Sequence, residues 1–183
     1  MIKAEMTDVR IVRFLIKHTG TIPVNRSAGA GAYAEAVRRL RAGELVGVYP
    51  EATISRSFEL KEFKTGAARM ALEAQVPIIP LIVWGAHRVW TKDHPKRLGR
   101  KKIPFTVRVG TPLPPVGTAT ELDTVMREAM TTMLHEVQEQ YPHPEGAHWV
   151  PNRLGGAAPT PAEATRIEEA ELAERARRAA GRH

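Results

Sequence analysis

Apolar residues recur at helical spacing in some parts of the chain and form short continuous runs in others. The helical spacing predicts helices over 33–41, 64–74 and 121–140. The continuous runs have the length of strands and predict them over 45–49, 76–84 and 105–109. Short apolar strands that alternate with helices are typical of layered α/β domains. We therefore predict an α/β fold, a layered mixed sheet flanked by helices.

Weaker signals precede the first of these helices. Residues 11–16 resemble the last turns of a helix that ends at Gly20, and 21–24 form a short candidate strand. The glycines within 29–31 predict a flexible break. Gly43 stands where a helix commonly ends in a left-handed residue.

The pattern changes after Tyr141. Prolines and glycines accumulate over 142–161, which predicts a linker. The segment 162–183 is rich in Ala, Glu and Arg and has few large apolar residues, so we predict either a solvent-exposed helix or a disordered tail. The predicted organisation is a domain over 1–141, a linker and a polar tail.

Composition excludes several classes of site and of protein. The 183 residues include no cysteine, which excludes disulfide scaffolds, thiolate nucleophiles and Cys-ligated metal sites. No stretch approaches the roughly 20 apolar residues that span a bilayer. The opening residues 1–8 lack the apolar region of a signal peptide. We expect a soluble or peripheral protein, and a reducing, cytosolic compartment fits the absence of cysteine.

The positive charge is concentrated in one stretch. Residues 84–110 carry eight basic residues against Asp93 alone, a net charge equal to the formal +7 of the whole chain. Such a stretch suits an anionic partner such as phosphate groups, an anionic membrane surface, an acidic carrier protein or nucleic acid. A solvated loop without a partner is the alternative.

Four local clusters combine predicted strands or helix starts with polar and basic side chains. They are 20–26 (GTIPVNR), 49–56 (YPEATISR), 63–67 (FKTGA) and 76–80 (VPIIP). Arg26 and Glu51 each follow a predicted strand, so both can project from the same end of a sheet, where α/β proteins keep their sites. An ordinary ion pair between the two residues is the alternative.

The second and third of these clusters have the chemistry of a phosphate site. The loop over 52–56 is short, hydroxylated and basic, which suits phosphate oxygens. Lys64 opens a predicted helix whose N-terminal amides add affinity for anions. The planar fork of arginine makes Arg26 and Arg56 better phosphate clamps than lysine would be.

Taken in this order, the clusters resemble the motifs of the glycerolipid acyltransferase family, the PlsC-like 1-acyl-glycerol-3-phosphate (lysophosphatidic acid) acyltransferases. The cluster 20–26 is similar to the second motif of the family and 76–80 to the fourth. The cluster 49–56 is similar to the third motif, and 63–67 follows it as in the family. The resemblance runs from about residue 10 to about residue 140.

The resemblance implies roles for individual residues and for partners. Arg26 would bind the acceptor phosphate, with help from Thr53, Arg56 and Lys64, and Glu51 would hold this arginine and the loop in place. The donor would be acyl-CoA or acyl-carrier protein, and the acceptor a lysophosphatidate-like lysophospholipid. The reaction needs no metal and no cofactor. The basic residues from Arg88 to Lys102 would face anionic lipid headgroups or an acidic carrier, and the protein would lie peripherally on the cytoplasmic face of the membrane.

Two departures from the family pattern bear on activity. Ala52 replaces the glycine of the third motif, and alanine would strain the turn if that position needs a positive φ. The first motif of the family, H-x-x-x-x-D, is absent. Its histidine would act as general base on the acceptor hydroxyl. The residues five places before the three aspartates are Lys3, Arg88 and Thr118.

No histidine of this sequence therefore fits the first motif. His18 lies near the expected place, but Pro23 stands five residues later. We expect a domain that is N-terminally incomplete or a degenerate paralogue, with little or no turnover and no catalytic base of its own.

Two other functions compete with this one. The first is a non-catalytic module, a pseudoenzyme that binds phosphate or an anionic membrane. The second is a nucleic-acid binder, which ranks below because aromatic residues are only 5% of the chain and no nucleic-acid-binding motif is present. The histidines within 143–148 lack convincing metal spacing, so we expect no zinc site.

Overall fold

The computed structural model describes residues 2–3, 23–24, 29–51, 53–97, 99 and 102–180. The strands and helices are β1 (Ile2–Lys3), β2 (Pro23–Val24), α1 (Gly29–Arg41), α2 (Gly66–Ala74), β3 (Leu81–Trp84), β4 (Thr106–Val109), α3 (Ala119–Gln140) and α4 (Pro161–Ala180). Short 3-10 helices cover Ala86–Arg88 and Asn152–Leu154. The predicted helix over 11–16 and its end at Gly20 lie outside the described residues.

The chain divides into two compact units. The first unit consists of Met1–Ala52, Glu62–Pro80 and Thr111–Glu128. The second unit consists of Thr53–Lys61, Leu81–Gly110 and Ala129–His183. The predicted mixed α/β fold is confirmed, with a parallel pair of strands (β1 and β2) and an antiparallel pair (β3 and β4). Among the described residues, no helix is both long enough and apolar enough to cross a membrane.

Helix α1 organises one core of the first unit. It buries Ala32, Ala36 and Val37 against Met70 of α2. The predicted helix is confirmed, but the predicted glycine break over 29–31 is wrong, because these residues form the first turn of the helix. The expected glycine at the C-terminus is present as well, since Gly43 has a φ of 82°.

The segment 45–49, which was predicted to be a strand, is not one. Its side chains alternate as they would in a strand. Val46 and Val48 pack against the core of α1 and α2, whereas Leu45 is 92% exposed and Tyr49 is 85% exposed. An apolar run favours an extended chain, but a strand also needs a neighbouring strand for its ladder. Among the described residues, no strand pairs with this segment.

The antiparallel sheet lies in the second unit. Leu81 pairs with Val109 and Val83 with Val107. The strand predicted over 76–84 is shorter than expected, because Pro80 has no N–H to donate to a ladder. Only alternate residues of β3, Ile82 and Trp84, are buried. The strand predicted over 105–109 is confirmed as β4.

Helix α3 is the predicted amphipathic helix, and it begins two residues earlier than expected. Thr118 and Glu121 form a reciprocal cap at its N-terminus. The Thr118 N–H donates to Glu121 at 2.7 Å, and the Glu121 N–H donates to the Thr118 hydroxyl at 3.2 Å. The helix buries Leu122 in the first unit, and Leu134 and Val137 in the second.

The segment after Tyr141, predicted to be a linker, packs into the core of the second unit. Trp149 and Val150 are buried there together with Ile82 and Trp84 of β3. Composition alone does not distinguish a linker from such a packed segment, because prolines and glycines also build compact loops around buried aromatic residues. The domain limits at residues 141 and 161 stay a prediction.

The polar tail forms a helix over most of its length, which is the first of the two predicted alternatives. Helix α4 starts with a reciprocal cap, because the Thr160 N–H donates to Glu163 at 2.9 Å and the Glu163 N–H to the Thr160 hydroxyl at 3.3 Å. Ala164 is its one buried residue. Little apolar surface therefore holds this helix in place.

Candidate functional site

The predicted site residues fall in different parts of the structure. Arg26 lies outside the described residues. Glu51 and Lys64 belong to the first unit, and Thr53 and Arg56 belong to the second. Lys64 and Thr53 are exposed, Glu51 is half-buried, and Arg56 is buried. Arg56 is therefore the predicted site residue with the most unusual surroundings.

The helix after Lys64 starts later than the sequence predicts. Lys64 precedes α2 by two residues, and its backbone N–H donates to the carbonyl of Pro50 at 2.9 Å. This hydrogen bond ties the cluster 63–67 to the start of the predicted third motif. Thr65 at the N-cap makes no side-chain hydrogen bond to the helix. The N-cap side chain, which usually accepts a hydrogen bond from a first-turn amide, thus does not cap α2.

Arg56 is held by three carboxylates. Its Nε donates to Asp93 at 2.7 Å, and its Nη2 donates to Glu171 of α4. Its Nη1 lies 3.8 Å from Glu168 of the same helix. The hydrogen bond from Arg56 lowers the pKa of Asp93, and the one to Asp93 raises the pKa of Arg56. The guanidinium predicted to bind phosphate is thus surrounded by carboxylates of its own chain.

This cluster is incompletely satisfied. Arg56 is 7% exposed, and its Nη1 is buried without a hydrogen-bond partner among the described residues. Glu168 Oε1 is also buried and has no hydrogen-bond partner among the described residues, whereas Glu168 Oε2 accepts a hydrogen bond from Lys61. A buried polar atom without a partner costs about 1–3 kcal/mol, so the present set of partners is not the best set for this guanidinium.

Sequence reasoning missed the three acidic partners. Asp93 was noted only as the single acid of the basic stretch. Glu168 and Glu171 stand three residues apart, a spacing that places them on one face of a helix. That spacing was the one available signal, and it does not tell which residue of a distant loop the face would meet.

His87 is the histidine most changed by folding. Its ring packs between Trp84, with ring centroids 4.2 Å apart, and Phe58, at 4.7 Å. Burial lowers its pKa to about 4. Its Nε2 lies 3.1 Å from the carbonyl oxygen of Trp149, which can only accept, so Nε2 carries the proton. His87 is thus a neutral core residue with its Nε2 occupied.

Some basic side chains of the basic stretch make contacts within the second unit. Arg88 donates to the hydroxyl of Tyr141 at 2.7 Å and lies over the ring of Trp149, 4.2 Å from its centroid. Arg108 pairs with Glu136 at 2.8 Å. Lys96 differs from these two, because it is exposed and lies 4.0 Å over the ring of Trp90, which is itself 61% exposed.

One face of the antiparallel sheet is apolar and exposed. Leu81, Val83, Val107 and Val109 alternate with residues of the other face and form two cross-strand pairs. Each of the four is between 47% and 61% exposed. We call these four residues the outer sheet face.

Potential metal ligands do not gather in the part of the chain that the structure describes. The rings of His94 and His148 stack with centroids 4.1 Å apart. No group of three or more His, Asp or Glu side chains in the described ranges could hold a metal ion.

The family model described as Acyltransferase matches residues 1–84. This range contains all four clusters that carried the resemblance, and the expected resemblance is confirmed.

Two similar relatives are described as 1-acyl-sn-glycerol-3-phosphate acyltransferases. The protein from Limnanthes douglasii is 35% identical over 95 residues, which cover 51% of this chain and 32% of the relative. The protein from Borreliella burgdorferi is 28% identical over 94 residues, which cover 50% of this chain and 38% of the relative. The matched part of the chain thus spans about a third of the length of these relatives.

A longer match and a solved structure extend the comparison. An uncharacterized acyltransferase of Schizosaccharomyces pombe is 31% identical over 145 residues, 75% of this chain and 50% of that protein. The crystal structure of the 1-acyl-sn-glycerophosphate (LPA) acyltransferase PlsC from Thermotoga maritima has a TM-score of 0.65 at 20% identity. It covers 78% of this chain and 58% of that one. At this identity the structural match shows the fold alone.

Proposed function

We propose that the chain is a PlsC-like acyltransferase domain that serves the transfer of a fatty acyl group to a lysophosphatidate-like acceptor in phospholipid synthesis. One observation carries this proposal. The second, third and fourth motifs lie in family order within the residues that match the acyltransferase model.

The reaction divides between acceptor binding and proton transfer. The acceptor hydroxyl attacks the carbonyl carbon of the acyl thioester while a general base takes its proton. The C–S bond then breaks, and the thiolate of CoA or acyl-carrier protein leaves and takes up that proton. Arg26, Thr53, Arg56 and Lys64 would bind the acceptor phosphate, and Glu51 would orient Arg26. Arginine supplies two parallel donors to a phosphate, which favours the two arginines as the main contacts.

The base is the part that these 183 residues do not supply. No histidine of the sequence has an aspartate five residues later. Among the described histidines, His87 is neutral and hydrogen-bonded through Nε2, which does not suit a base that must accept a proton there. We therefore propose that this chain alone turns over slowly or not at all.

An acyl-transfer assay tests both parts of this proposal. The 183-residue chain and a chain extended in frame upstream of Met1 are each given lysophosphatidate and either acyl-CoA or acyl-carrier protein. We expect turnover from the extended chain and little from the shorter one. Robust turnover by the 183 residues would disprove the claim about the base. An inactive extended chain that carries His-x4-Asp would contradict the proposed activity.

A second candidate function is a non-catalytic module that binds an anionic membrane. The observation in its favour is Trp90, exposed next to Lys96, since this pairing suits the boundary between lipid and water. The outer sheet face belongs to the same unit and adds exposed apolar surface. On this candidate function, the protein would lie peripherally on the cytoplasmic face of a membrane.

Co-sedimentation with vesicles tests the second candidate. We expect binding to vesicles that contain phosphatidylserine, no binding to neutral phosphatidylcholine vesicles, and a loss of binding as salt rises. Replacing Trp90→Ser and Lys96→Gln should weaken binding, by about 1 kcal/mol for the lost charge. Arg166→Gln, a charge change on α4, is the matched control. Equal binding by the two variants would rule out this surface.

A further inference from the structure

We propose that helix α4 is an internal acidic cap on Arg56, in which Glu168 and Glu171 occupy the guanidinium that a phosphate monoester would otherwise bind. The inference rests on the proposed function in one respect, that Arg56 is an anion-binding residue. It adds that phosphate and α4 compete for this residue.

Helix α4 blocks access to the guanidinium of Arg56. The side chain of Arg56 is 6% exposed, and two of its three carboxylate partners come from α4. A phosphate needs the Nη atoms of the arginine for a two-point contact. With α4 in place, Nη2 is taken by Glu171, and Nη1 faces Glu168. A phosphate monoester therefore reaches Arg56 only after the helix moves.

Helix α4 is attached mainly by ion pairs. Ala164 is its one buried residue, while Ile167 is 41% exposed and Leu172 is 64% exposed. The long-range contacts of its carboxylates are instead the ion pairs to Arg56 and Lys61. A helix held by ion pairs rather than by apolar burial is displaced by a competing anion more readily than one held by a core.

The contact between Arg56 and Glu168 leaves both groups incompletely hydrogen-bonded. Arg56 Nη1 and Glu168 Oε1 face each other at 3.8 Å, too far for a hydrogen bond, and both are buried without a partner among the described residues. A phosphate monoester carries about two negative charges and three acceptor oxygens, so one such group can satisfy both Nη atoms. The carboxylates of α4 are therefore an imperfect substitute for a phosphate.

A purely structural ion-pair cluster makes different predictions. If α4 only locks the fold, replacing Glu168 and Glu171 lowers stability and leaves phosphate affinity unchanged. If α4 is a cap, the same replacements raise the affinity. A cap that is closed about nine-tenths of the time weakens the apparent affinity about tenfold.

Calorimetric titration of the full chain with glycerol 3-phosphate separates the two cases. We expect Glu168→Gln with Glu171→Gln to bind about tenfold more tightly than the natural chain. The matched control, Glu169→Gln with Glu174→Gln, changes the same charge on the same helix and should bind like the natural chain. Adding Arg56→Gln to the first variant should abolish its binding. Inorganic phosphate and a short-chain lysophosphatidate form two further arms. Tighter binding of the lipid identifies a headgroup site, and equal binding identifies a site for free phosphate.

Hydrogen exchange measured by mass spectrometry covers the case in which the variants are too unstable to titrate. In the natural chain, glycerol 3-phosphate should speed the exchange of amides within 161–180, relative to sodium chloride of equal ionic strength. Equal affinity in both double variants, no binding by any variant, or unchanged exchange of α4 would each overturn the cap. The proposed function is judged separately, by acyl transfer from the extended chain.

Discussion

At the scale of single residues, Arg56 shows what local patterns convey and what they do not. The loop that carries it is hydroxylated and basic, and this was enough to predict an arginine suited to anions. Its partners were not predictable, because Asp93 lies 37 residues away and Glu171 lies 115 residues away. Spacing rules connect positions within one helix or strand, whereas these contacts depend on how the second unit folds.

Removing the Arg56 guanidinium should destabilise the second unit. Arg56→Met leaves Asp93, Glu168 and Glu171 without their shared cation. Because the side chain of Asp93 is 61% exposed and that of Glu171 is 35% exposed, water compensates part of the loss, and we expect a cost of about 1–3 kcal/mol. Urea unfolding measures the loss. Arg175→Gln is the control, since Arg175 is exposed and lies 3.8 Å from Glu171. Equal stabilities for the two variants would show that the cluster around Arg56 contributes nothing to folding.

His87 should make stability depend on pH. Burial lowers its pKa from 6.5 to about 4, so between these values the unfolded chain binds a proton that the folded chain does not. The free energy of unfolding therefore falls as the pH drops from about 6.5 to 4, by up to about 3 kcal/mol from this residue. Urea unfolding of the natural chain and of His87→Phe over this pH range measures it. An equal loss of stability in both proteins would show that His87 is not the residue responsible.

At the scale of elements, helices were easier to predict than strands. The spacing of apolar residues predicted α1, α2 and α3 with ends correct to a few residues, because a helix satisfies its hydrogen bonds within itself. A strand depends on a partner that can be distant in sequence. The run over 45–49 therefore looked like a strand and is not one, while the Pro/Gly-rich segment before α4 looked like a linker and packs around Trp149.

Gly156 should be irreplaceable within that packed segment. A Cβ at this position would overlap the carbonyl oxygen of Val150, a backbone atom that cannot move aside without disturbing the core. We expect Gly156→Ala to lower the free energy of unfolding by about 3 kcal/mol. Gly66→Ala is the control, since a Cβ there meets nothing within 4 Å. Thermal melts that show equal stability for both variants would contradict the packing of this segment.

At the scale of the whole molecule, the ordered motifs were more informative than the charge. The formal charge of +7 indicated only an anionic partner. In the structure Arg56 and Arg108 pair with carboxylates that the net charge already counts, and Arg88 lies over the ring of Trp149, so the total does not tell which cations can meet a partner. The motifs predicted the match to the Acyltransferase model because each is a contiguous run that local sequence specifies. They could not predict the acidic helix that meets Arg56.

The acceptor dependence of acyl transfer tests the central claim most directly. In a chain extended in frame upstream of Met1, the rate is measured against lysophosphatidate concentration for the natural sequence and for Arg26→Gln. We predict turnover by the natural extended chain, a markedly raised KM for lysophosphatidate in the variant, and little turnover by the 183 residues alone. Turnover with an unchanged KM in Arg26→Gln, or full turnover by the 183 residues, would contradict this account.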